Sequence, residues 1–337
     1  LFVFYKILLY NKTMDKNAKV YDRRNFYNDG DSGKVFLFAL ILPILLSLIF
    51  SLIANLIAGV NGDEAANITK SIWFNAVYGV VTAICYVFLY LIYNKTQRIE
   101  YKAINLNFKM KWHTYLLIIA VGLIPLFGLY NFIDVVNNIL EAIGFPMEDG
   151  TTETLANPMS FGVFALSVVV TCIIPAITEE LLFRGIILNG LRTRFNDVQA
   201  IFMSAFMFAL MHQNLQQLVY PFLLGSIMAW LVLRTGSLVS SMLVHFINNF
   251  LVILFAYLQN VTSFSLALPD TWWFYLIAIL LLGITVAIVY IIDRFYFKHK
   301  SKEEVEKTST KTSIFIYISI GVALAMMLFI TLFAFLG

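Results

Sequence analysis

Cysteine is almost missing from this chain: Cys85 and Cys172 are the only two in 337 residues. Both fall in apolar runs, so neither a disulfide framework nor a CxxC metal site is indicated, and both read as small buried hydrophobes. Charge is equally scarce. Asp, Glu, Lys and Arg make up 13% of the residues and the formal net charge is +3, with the basic residues scattered among connecting segments, which excludes a nucleic-acid surface. H-E-x-x-H is absent, which removes the usual zincin geometry, and so is the G-x-S-x-G of a serine nucleophile. No internal repeat or soluble domain is visible. The opening "LFVFYKILLYNKT" is short, interrupted by Lys6 and without a small-residue cleavage site, so it does not read as a cleavable signal. The chain begins at Leu1, and Met14 is a plausible start, with residues 1–13 not genuine.

What remains is oil. The apolar fraction is 60% and the mean hydropathy +0.82. Runs of about 20 apolar residues cross a hydrocarbon core of about 30 Å. They are continuous rather than alternating, so a strand barrel is the poorer reading. The expected fold class is all-α: a polytopic transmembrane helical bundle. Spans are expected near 35–58, 72–93, 114–133, 158–191, 198–213, 215–233, 237–258, 272–293 and 313–336. The fourth is too long for a simple crossing and is expected to project from the bilayer or bend near Pro175, whose ring removes one helical hydrogen bond. Residues 134–154 read as an interfacial amphipathic piece followed by a polar loop.

The expected organisation is a cytoplasmic N-terminal segment (1–34), a membrane domain (35–293) with its chemistry at about 158–258, a charged linker (294–312) and a last helix (313–337). That last helix is an accessory to about eight core helices. With a cytoplasmic N-terminus, all of the 23 Lys and Arg residues except Lys70 lie on or near the cytoplasmic side. The opposite connections carry Asp63, Glu64, Asp134, Glu141, Glu148, Asp149, Glu153 and Asp270, as the positive-inside tendency requires of a multi-pass protein of the cell membrane.

Ionisable groups at bilayer depth are costly and face a protein interior or a water-filled cavity. Three clusters stand out. In "IIPAITEELLFRGIILNGLR" (173–192), Glu180 and Arg184 are four apart on one helix face in the favourable order, while Glu179 is turned by about 100°. His212 ends the run Phe208-Ala-Leu-Met-His212. His245 and Asn249 again share a face, with Asn248 slightly to one side. Taken singly, these are a stabilising ion pair, an interfacial histidine and a polar pair that glues helices. Taken together, they are two of only four histidines beside the only carboxylates well inside a span, all roughly 10–25 Å from the cytoplasmic ends at about 1.5 Å per residue.

A carboxylate with imidazoles and an amide donor holds the parts for hydrolysis. Glu179 is the expected general base on a water that His212 orients, and His245 and Asn249 the expected donors to an oxyanion. Glu179, His212 and His245 are also a possible zinc set. A carboxylate-activated water without a cofactor is the preferred reading.

These three motifs, in this order on successive helices, resemble the CPBP family: the type II CAAX prenyl endopeptidases and the bacterial bacteriocin-processing or immunity proteins, also called the Abi family. The resemblance covers roughly residues 158–258. It implies an eight-helix intramembrane protease core in which Glu179 and His212 activate water, His245 and Asn249 form the oxyanion site, and Glu180 and Arg184 support them. The expected substrate is a membrane-associated peptide or protein, with a membrane-protein partner possible. Two alternatives stand beside it: a non-catalytic immunity or partner-binding protein on the same fold and, last, a proton-coupled transporter.

Overall fold

The computed structural model describes residues 27–59, 62–96, 106, 108–145, 159–262, 272–291 and 312–336. Among them every regular element is a helix. In chain order these are α1 (Asp29–Ala58), α2 (Gly62–Lys70), α3 (Ile72–Thr96), α4 (Trp112–Ala142), α5 (Phe161–Arg192), α6 (Asp197–Met211), α7 (Val219–Thr235), α8 (Leu238–Val261), α9 (Trp272–Ile291) and α10 (Ile314–Leu336). A helix stands at each of the nine expected spans. Five of them, α1, α3, α5, α8 and α10, are long and apolar enough to cross a membrane, while α6 and α7 are shorter apolar helices. The chain is a multi-pass helical membrane protein. The N-terminal segment to residue 26 and the linker 292–311 lie outside the described residues.

Capping, rather than hydropathy, sets where these helices begin. α1 starts at Asp29, ahead of the apolar run, because Asn28 and Asp31 exchange side-chain-to-backbone hydrogen bonds of 3.0 Å in a capping box. α6 repeats the device with Asn196 and Gln199, at 3.2 and 2.9 Å. α7 ends on Gly236 in the left-handed conformation, φ 63°, and Ser237 caps α8 directly, so α7 and α8 are adjacent antiparallel neighbours. One expectation needs correcting. Residues 134–142 are not a separate interfacial piece: α4 runs unbroken through Pro125 to Ala142.

α5 is the central strut. Leu182, Phe183, Ile186, Ile187, Leu188 and Leu191 are all fully buried, so its lower half is covered on all sides, as a helix apolar all round must be. α1, α3, α6 and α8 pack around it. Phe36 of α1 meets Phe183 edge-on at 6.3 Å between ring centres, and Ser32 Oγ donates to the Ile187 carbonyl at 2.9 Å. The crossing is tight at Gly190, where an added Cβ falls 2.5 Å from the Asn28 carbonyl oxygen. Gly190→Ala is therefore expected to cost about 1–3 kcal/mol through overpacking. Gly283→Ala, at a site with open space around it, should leave stability unchanged or slightly raised, since alanine is the better helix former. Unfolding of the two variants in detergent micelles checks the contrast.

Prolines inside spans leave carbonyls without helical donors, and at two of them a tyrosine and an asparagine side chain supply what is missing. In lipid such groups must find partners within the protein. Pro43 cannot donate to the Ala39 carbonyl, and Tyr86 Oη of α3 does so at 2.9 Å. Pro175 cannot donate to the Thr171 carbonyl, and Asn249 Nδ2 of α8 does so at 2.9 Å. Near Pro175, α5 carries a widened π-type turn at Val168–Ile173, just before it, with a second at Leu181–Ile187. Such turns absorb an extra residue and re-aim the side chains around them.

The last helix is no bystander in the packing. α10 lies along α1 and touches α6, with Ile316, Ser319 and Ala323 fully or almost fully buried. The Ser313 N–H before it donates to Asp29 Oδ2 at 2.6 Å.

Candidate active site

Between its two widened turns, α5 holds a regular helical stretch, Ile174–Glu180, that ends in the paired carboxylates. Their environments are opposite. The Glu180 side chain is fully buried, while Glu179 retains 19% exposure. Arg184, also fully buried, places Nη1 2.7 Å from Glu180 Oε1, the ion pair expected from the four-residue spacing. Its Nη2 donates to the Gly225 carbonyl of α7 at 3.0 Å, and its guanidinium centre sits 4.6 Å over the Phe208 ring of α6. Gly225 lets α7 come this close, since a Cβ there would lie 3.2 Å from Nη2 and 3.3 Å from Phe208 Cδ1.

His245, reaching in from α8, joins the two carboxylates. Its Nδ1 is 3.0 Å from Glu180 Oε1, and its Nε2 is 3.9 Å from Glu179 Oε2. The four-residue spacing along α5 accounts for Arg184 but not for this second partner of Glu180. In the fold, one oxygen of Glu180 serves both, and His245 faces Glu179 with its other nitrogen. Since a carboxylate only accepts, an ionised Glu180 fixes the proton on Nδ1.

His212 stands at the end of α6, on the protein's exposed surface. Its Nδ1 is 3.0 Å from the Phe208 carbonyl. That acceptor requires the proton on Nδ1 and leaves Nε2 with a free lone pair. Phe208 sits between the two histidines, 5.2 Å from the His212 ring centre and 5.7 Å from that of His245, edge-on to both. A single aromatic ring thus spaces His212, His245 and Arg184.

Asn249 is on the same side of α8 but is held differently. Besides its bond to the Thr171 carbonyl, its Oδ1 accepts from Asn248 Nδ2 at 3.3 Å, and Asn248 Oδ1 accepts in turn from Tyr220 Oη of α7. The run Tyr220, Asn248, Asn249, Thr171 therefore ties α7, α8 and α5 together and sets the Asn249 amide in one orientation. Tyr220 and Gly225 carry no motif in the sequence. The Thr171 carbonyl is the one member that Pro175, four residues on, makes legible.

The two nitrogens of His245 both face carboxylates, and among the described residues no group of three His, Cys, Asp or Glu converges as a metal-ligand set.

Buried charge neutralised on a central helix, an accessible carboxylate beside it and imidazoles from two neighbouring helices are groups that hydrolysis can use. Residues 161–251 match the family of the type II CAAX prenyl endopeptidase, Rce1-like, and the resemblance carried by the three motifs is shown for this stretch. It is well under half of the chain, but it contains all six motif residues and runs from α5 into α8. The match supports an intramembrane endopeptidase of the CAAX-protease type. Comparison with curated proteins and with solved structures gave no match.

Proposed function

We propose that the chain hydrolyses a peptide bond of a membrane-associated peptide or protein, using a water activated by Glu179 and His212. The observation that carries this reading is the asymmetry of the two glutamates: Glu180 is sealed against Arg184, whereas Glu179 is accessible and held 3.9 Å from His245 Nε2. Glu179 takes a proton from the water as its oxygen bonds to the scissile carbonyl carbon, and His212 Nε2 accepts a hydrogen bond from the same water. The carbonyl oxygen becomes an oxyanion. Asn249 spends one N–H on Thr171 and has a second to give. His245, held at Nδ1 by Glu180, faces the same place with Nε2 and donates to the oxyanion when that nitrogen carries a proton. Collapse breaks the C–N bond, and the proton held by Glu179 passes to the leaving amine.

The family name speaks of prenylated CAAX ends, but nothing in this site reads out a lipid, so the substrate class is kept at membrane-associated peptides. The distribution of basic residues supports a cell-membrane protein with a cytoplasmic N-terminus. Quantitative proteomics of membranes carrying the wild type or Glu179→Gln tests the function: a defined set of peptides accumulates uncut only with the variant. Identical peptide profiles reject the protease and favour a non-catalytic immunity or partner-binding role. For the metal question, the purified protein is expected to carry no stoichiometric zinc by elemental analysis. Zinc at one per chain, lost on changing His212 or His245, rejects the carboxylate-activated water.

A further inference from the structure

Gln213 follows His212 directly and is the only residue other than glycine with positive φ, 51°, among the described residues. A helix that ends in the left-handed conformation normally does so on glycine, which pays no Cβ penalty; α7 does this at Gly236. A glutamine here needs a use for its side chain. Its Nε2 donates to the Leu210 carbonyl at 2.6 Å and to the Ala323 carbonyl of α10 at 3.3 Å. The Leu210 carbonyl belongs to the last turn of α6, where helical donors run out. Ala323 is fully buried on a helix far outside the matched segment 161–251.

We propose that Gln213 is a positioning residue that locks the end of α6, and so the His212 ring, onto α10, making the C-terminal helix part of the active-site scaffold. The mechanism is geometric. His212 is exposed, and its ring is hydrogen-bonded to the Phe208 carbonyl in the same last turn. Any fraying of residues 208–213 therefore moves Nε2 away from the water it serves. Gln213 opposes fraying twice, by closing the turn through Leu210 and by fixing it to a neighbouring helix. α10 is held in turn on α1 through Asp29 and Ser313. The consequence for catalysis rests on the protease reading; the clamp itself does not.

The test uses the full chain in detergent micelles. Gln213→Gly keeps the backbone conformation and deletes both side-chain bonds, Gln213→Glu keeps the shape and removes the donor, and Ala323→Leu disturbs the contact from the α10 side. Amide hydrogen exchange read by mass spectrometry should rise on the order of tenfold in peptides covering 208–213 for each variant, with α5 and α8 unchanged. With an internally quenched peptide spanning a site that accumulates uncut in the Glu179→Gln membranes as probe, kcat should fall on the order of tenfold to a hundredfold with KM unchanged. Wild-type exchange in 208–213 for Gln213→Gly and Gln213→Glu overturns the proposal, as does faster exchange spread over the whole bundle. Glu179→Gln separates the two readings: it should abolish cleavage and leave exchange in 208–213 untouched. If it cleaves like the wild type, the protease assignment falls while the exchange result still decides the clamp.

Discussion

Glu179→Gln is expected to lower the cleavage rate by 10²–10⁴-fold or more, the range over which a positioned acid–base group contributes, with substrate binding and stability nearly unaltered. The amide has the size of the carboxylate and can still occupy the partly open position beside His245, but it accepts no proton from water. The neighbouring substitution sharpens the meaning of this result. Glu180→Gln removes the common acceptor of Arg184 and His245, so it should reduce activity and stability together. A variant dead but stable at 179, and one both unstable and slow at 180, is the pattern that two carboxylates in different roles produce. Rates on the probe peptide, set beside unfolding midpoints in the same detergent, measure it. Equal loss of stability at the two positions would mean that Glu179 is one more structural charge.

Much of this was legible in the residues themselves. Apolar runs located a helix at each expected span, and the four-residue spacing in "TEELLFRG" foretold the ion pair between Glu180 and Arg184. That Glu179 turns away from Arg184 was readable from the helical turn alone. What spacing along one helix cannot show is which neighbour fills the remaining lone pairs and protons. His245 takes an oxygen of Glu180 that seemed already committed, and the Gly225 and Ala323 carbonyls are backbone groups with no side-chain signature. Pro43 and Pro175 do announce which carbonyls lack donors, but not that Tyr86 and Asn249 supply them. The widened turns of α5 depend on packing from several helices and left no periodic trace. The accessory role expected of the last helix came from the charged linker before it; its contacts with α1 and α6 are long-range and invisible to hydropathy.

Arg184→Met should be the most destabilising single change in the site, by about 3–5 kcal/mol, because removing one member of a buried ion pair strands the other charge. Arg184 is one of the largest fully buried side chains among the described residues, and three partners hold it: Glu180, the Gly225 carbonyl and the Phe208 ring. Methionine fills much of the volume, so the cost is electrostatic more than a cavity. The diagnostic is the double variant Glu180→Gln with Arg184→Met. Replacing both charges removes the stranded carboxylate, and the pair should regain most of the lost stability, giving a strongly non-additive cycle. Activity should not return with it. Without Glu180 as acceptor, His245 loses the bond that fixes its Nδ1 proton and aims Nε2 at Glu179, and Phe208 loses the cation that holds its ring between the two histidines. Unfolding in detergent and cleavage of the probe, measured on all four proteins of the cycle, separate the outcomes. Recovery of stability without rate assigns the Glu180–Arg184 pair to aiming the catalytic groups. Recovery of both leaves it no part beyond neutralising buried charge.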